Sequence, residues 1–100
     1  MKVSQRLLNL SDKKKEIVKR NAMQAYADAV RATPVRTGTL QAGWSVSIEE
    51  SKNMTVVSIE NTVPYAMYVE MGTSKMRGKE MLGIRTGKIY SKLMKGVING

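Results

Sequence analysis

The sequence contains no cysteine and no histidine. The first absence rules out disulfides and thiolate metal sites, and it suits a reducing compartment. The second removes the commonest general base and the usual zinc ligand. Phenylalanine is missing as well. No apolar run approaches the roughly 18 residues that a membrane span requires. Near the start, Leu7, Leu8 and Leu10 are broken by Asn9 and then stop, so no secretory leader is expected and the chain reads as soluble and unprocessed. One hundred residues read as a single domain spanning 1–100, long enough for one core and short enough to gain from association.

What is present is positive charge, and it is unevenly placed. The net charge is +9. Residues 1–36 carry +6, residues 37–70 carry −3, and residues 71–100 carry +6. Two readings are open: solvated helix faces that keep the protein soluble, or basic flanks that face nucleic acid or an acidic partner. Lys13, Lys14 and Lys15 in the first flank and Lys75, Arg77 and Lys79 in the second are the candidate DNA-facing residues.

Periodicity gives an α+β fold. Ile17, Val18, Ala22, Ala25, Tyr26, Ala29 and Val30 recur at three- and four-residue spacing, which predicts a long N-terminal helix over about 11–32. Asn9 or Ser11 can cap it, and Pro34 ends it by pushing Thr33 out of helical geometry. Gly38 lets the chain reverse. From Leu40 through Ala42, Trp44, Val46 and Ile48 the pattern alternates, and Thr55 to Asn61 is rich in β-branched residues. Together they predict an antiparallel hairpin or small sheet over about 39–61, with Trp44 on its apolar face. Pro64 and Gly72 bracket a short middle helix, about 64–71, in which Tyr65 reads as core. A polar, mobile loop is expected over about 73–85. The last element is a C-terminal helix, about 86–98, that presents Ile89, Tyr90, Leu93, Met94, Val97 and Ile98 to the sheet.

Catalysis needs positioned titratable groups, and this sequence offers few. Glu49 and Glu50 are adjacent and point to opposite faces of a strand, a poor acid–base pair. The stretch from Gly72 to Lys79 superficially suggests a phosphate loop. Its spacing is one residue too long, Glu80 stands where a hydroxyl is needed, and no buried strand precedes it. No metal-ligand cluster exists, so no cofactor is expected and the protein does not read as an enzyme. Glu70 lies in apolar company and needs a partner if buried; Arg36 is the candidate, in cis or from a neighbouring subunit.

Two signatures carry a resemblance. Pro34, Val35, Thr37, Gly38 and Leu40 form the first, and Tyr65, Ala66, Tyr68, Val69, Glu70, Gly72 and Thr73 form the second. With an alternating strand between them, the chain resembles a family of small virion proteins of long-tailed bacteriophages, described as neck, head–tail joining, tail-completion or minor tail components. It departs from that family's pattern at Lys79-Glu80-Met81-Leu82, where relatives tend to have a Pro-Phe pair. The resemblance implies a non-enzymatic ring around the DNA channel, a hexamer in preference to a dodecamer. That ring would lie between a head-closure or connector protein and a tail terminator or tail-tube protein. Packaged double-stranded DNA would pass through its lumen without sequence recognition, no membrane would be involved, and assembly would take place in the host cytoplasm. The motif and interface residues it points to are Arg36, Thr37, Gly38, Leu40, Trp44, Tyr65, Tyr68, Glu70, Gly72 and Thr73. A tail terminator ring is the alternative within the phage reading. A small basic, non-specific nucleic-acid-binding module is the alternative of another class, with Trp44 and the tyrosines as stacking surfaces.

Overall fold

A computed structural model describes residues 1–35 and 38–97. Seven elements follow in order: β1 (Lys2–Leu8), α1 (Asp12–Ala32), α2 (Thr39–Ala42), β2 (Trp44–Glu50), β3 (Met54–Asn61), α3 (Ala66–Met71) and α4 (Lys88–Met94). The α+β class expected from the pattern is found, with one correction at its start. A strand precedes the long helix, so that helix is not the first element. Val3, Gln5 and Leu7 alternate with Lys2, Ser4, Arg6 and Leu8, a period-two pattern of which the buried members are Val3 and Leu7.

β3 is the central strand of a three-stranded antiparallel sheet of order β1-β3-β2. Opposite Ile59 stand Val3 on one side and Val46 on the other; opposite Val57 stand Gln5 and Ile48. These rows make the core face, which α1 covers. Its contribution is a stripe of Val18, Ala22, Ala25 and Ala29, all buried. Three alanines in that stripe let the helix backbone come close to the sheet. Fully burying Val57, Ile59 and Val18 stabilises the fold by about 1.5–3 kcal/mol each. Ser11 caps α1 by accepting the Lys14 amide, and Thr33 closes it in extended geometry ahead of Pro34, as the sequence predicts.

The first hairpin strand begins later than alternation suggests. Residues 39–42 form a single helical turn entered from Gly38 at φ +78°, and the strand starts at Trp44. Asn61 explains the difference. Its fully buried side chain donates to the Leu40 carbonyl (2.8 Å) and accepts from the Val63 amide (3.0 Å), which folds the turn back over the end of β3. Leu40 is thereby buried while Ala42 faces solvent.

α4 is shorter than expected and packs antiparallel to α1, where the expectation set it on the sheet; it buries Ile89 and Leu93, with Val97 just beyond it, and Tyr90 is exposed instead of sharing that face. Asn21 fixes its end by donating to the Leu93 and Lys95 carbonyls. Ile98 lies outside the described residues.

Candidate functional site

Both signature stretches meet at the end of the molecule where β3 finishes. Trp44 sits at the root of this end, 5% exposed, with its indole N–H donated to the Thr33 hydroxyl (2.7 Å). Thr33 in turn donates to the Ala29 carbonyl (2.6 Å). The indole therefore ties the start of β2 to the end of α1, and it is neither an interface nor a stacking surface.

Above it, Pro34, Leu40, Tyr65, Tyr68, Val69 and Met76 line an open groove of about 520 Å³, completed by Thr73, Arg77 and Lys79. α3 aims the two tyrosines. Ala66 and Glu70 are its buried residues, so Tyr65 and Tyr68 turn outward and are 45% and 64% exposed. The expectation that Tyr65 belongs to the core is thus corrected: the buried face of this helix is set by Ala66 and Glu70. Val35, Met67 and Met76 are exposed large hydrophobics of the same end. Such a concentration of apolar and aromatic surface has the composition that protein interfaces favour.

Glu70 holds the floor together. It is 2% exposed and accepts four backbone amides: Met81 and Leu82 on Oε1 (both 2.9 Å), Gly83 and Ile84 on Oε2 (2.9 and 3.1 Å). Four donors fill the lone-pair positions of a carboxylate. Its partner is therefore the backbone of its own chain, and a side chain such as Arg36 is not needed to satisfy it; Arg36 and Thr37 lie outside the described residues. The arrangement also shows that the loop expected over 73–85 is not polar throughout. Met81, Leu82 and Gly83 are buried. The segment before them closes on itself: the Thr73 amide donates to the Met76 carbonyl, and the Thr73 hydroxyl accepts the Lys75 and Met76 amides. Gly72, which closes α3, adopts φ +83° and ψ 176°, positive but extended, and not the left-handed helical geometry common for a glycine at a helix end. Gly78 packs directly on its backbone: a Cβ on Gly78 would lie 2.7 Å from the Gly72 nitrogen. The apolar run Met81-Leu82-Gly83-Ile84 was the signal available in sequence, masked by the lysines around it.

The two candidate DNA-facing clusters do not form one patch. Lys13, Lys14 and Lys15 open α1 near the β2–β3 turn, where the Asn9 amide meets the Asn53 carbonyl. Lys75, Arg77 and Lys79 lie at the other end, beside the groove. Ion pairs belong to the helices. Lys19 bridges Glu50 (2.7 Å), which lowers the Glu50 pKa and raises that of Lys19. Asp28 accepts from Gln24, the main cause of its lowered pKa, and also pairs with Arg31 and with Lys92 of α4.

Among the described residues no group of three His, Cys, Asp or Glu side chains could hold a metal ion, and no helix is long and apolar enough to cross a membrane. What the groove offers is apolar and aromatic contact, with Arg77 and Lys79 at its border. No curated protein and no solved structure matches the chain. A family model described as "Bacteriophage HK97-gp10, putative tail-component" matches residues 1–72, from β1 to the glycine at the edge of the groove. On that match over most of its length, the chain belongs to the HK97-gp10-like family of bacteriophage tail components.

Proposed function

We propose that this protein is a structural virion component of the phage neck, a ring around the DNA channel that joins the head-closure complex to the tail. The observation that carries this reading is the groove. Two motifs about thirty residues apart in sequence converge to build an exposed apolar surface with tyrosines and an arginine, the composition of a protein interface. Family membership supports a role in the tail region of the virion. A heterologous contact, in which one face of a copy meets a different face of the next, closes into a ring when the rotation per copy allows it. A hexamer is favoured over a dodecamer. DNA would pass through the lumen held only by phosphate contacts, which carry no base information. The tail terminator ring is the second reading within the same family, and assembly would precede release from the host cytoplasm.

The test is a count of copies. Native mass spectrometry of the purified chain, and imaging of assembled particles, should show a closed ring, and Tyr68→Asp should abolish it while the monomer stays folded. A monomeric protein absent from particles that binds duplex DNA with a steep salt dependence would replace this reading with the nucleic-acid-binding one.

A further inference from the structure

We infer that copies of this chain join edge to edge, β2 of one copy against β1 of the next, in the register that sets Ser47 beside Ser4 and Glu49 beside Arg6. The inference deepens the ring reading above by adding to the groove a second contact between its subunits, along the strand edges. It rests on the sheet. Among the described residues nothing pairs with the outer edge of β1 or of β2, and each edge is seven residues long. That leaves two rows of backbone groups, about 23 Å each, open to a further strand. Both strands are antiparallel to β3 and so parallel to each other. Extending the sheet by whole copies therefore makes a parallel β2–β1 contact.

Side chains choose the register. On the face away from α1, three rows cross the sheet: Lys2–Glu60–Ser45, Ser4–Ser58–Ser47 and Arg6–Val56–Glu49. The middle row is already hydrogen-bonded in part, with Ser4 and Ser58 hydroxyls 2.9 Å apart. Arg6 and Glu49 end the third row on opposite edges, and neither has an ion-pair partner among the described residues. A shift by one residue would turn Val3 and Leu7 of the incoming strand away from the core face, and is excluded on that ground. Among shifts by an even number, only the level one sets Arg6 against Glu49. Pairing two β1 edges, or two β2 edges, would bring together strands of like charge, which costs stability. The opposite charges of the two edges thus select a head-to-tail contact with a second copy.

Because the chain lacks cysteine, thiols can be placed without background. Ser4 and Ser47 flank Ser58, two strand spacings or about 9.5 Å apart within one copy. That is too far for an internal disulfide, so any bridge in Ser4→Cys/Ser47→Cys joins two copies. Oxidation of this double variant, purified and in assembled particles, should give a ladder of covalent multimers. The pair Leu8→Cys/Ser45→Cys, about 20 Å out of level along the strands, should give none. Arg6→Glu should weaken self-association about five- to tenfold, and adding Glu49→Arg should restore it. Oligomers in which Ser4→Cys/Ser47→Cys stays unlinked would overturn edge pairing and leave the ring standing. Bridging by Ser4→Cys alone would mean like edges meet, and would also overturn it. A chain that is monomeric when pure and missing from particles would overturn both readings.

Discussion

The two halves of this molecule are held by different forces. In the half made of the sheet and α1, side chains do the work: Val18, Val57, Ile59 and the buried alanines exclude water over a continuous face. In the half made of α3 and the segment up to α4, one carboxylate gathers the chain, and four amides converge on it. Apolar burial spreads its contribution over many residues and leaves a period in the sequence. A carboxylate anchor concentrates it in one residue and leaves none. The exposed groove lies on the second half, where the backbone is shaped to present side chains outward.

Removing the anchor should therefore have the largest effect. Glu70→Ala leaves four amides without acceptors in a buried site and should cost about 4 kcal/mol or more. Glu70→Gln turns an N–H group toward two of those donors and should cost nearly as much. Denaturant titration measures the loss, and hydrogen exchange localises it: amides of 81–84 should lose protection first while β3 keeps its own. Equal loss of protection in both halves would mean they are one cooperative unit.

On the other side of the comparison, Trp44→Ala should cost about 3–5 kcal/mol, since it opens a cavity under the groove. Trp44→Phe keeps most of the volume and loses the bond to Thr33, so about 1 kcal/mol is expected by the same titration. Tyr68→Asp should leave stability within about 0.5 kcal/mol, because the ring is mostly exposed. Its effect should appear only in copy number by native mass spectrometry. A loss of stability there would move Tyr68 from the docking surface to the fold.

The smallest effect is acid-dependent. Asp28 joins α1 to α4 through Lys92, and its folded pKa is lowered by its partners. A lowered carboxylate pKa adds stability that is present above the unfolded value, about pH 3.9. That stability is lost as pH falls through the folded value. Asp28→Asn should remove this dependence below about pH 4, with little change at pH 7 beyond that of a surface pair.

How much of this could be read from residues alone follows the same division. α1, β3 and the hairpin turn were legible because their patterns repeat. β1 was not, since Leu7-Leu8 with Leu10 draws attention to a leader sequence and away from the alternation of Val3 and Leu7. Residues 39–42 misled for the opposite reason: Leu40 and Ala42 continue the alternation of β2, yet the Asn61 side chain captures the Leu40 carbonyl and bends the chain. At the site, the structure brings Leu40, Tyr65, Tyr68 and Thr73 of the two motifs to one groove, an arrangement that spacing alone did not show. Glu70 was legible as a group in need of a partner, but amide donors carry no side-chain signature. Tyr65 and Tyr68 share a helical face, and spacing alone does not say whether that face is inside or outside.

An acceptor that grips amides is blind to what those amides belong to. Every residue type except proline supplies the same donor, so the grip itself selects no side chain at positions 81–84; what limits them is burial at Met81 and Leu82 and, at Gly83, a φ of +86° that favours glycine. The family match runs through Gly72, and the segment that Glu70 keeps in place lies just beyond it, held by a residue inside the matched part.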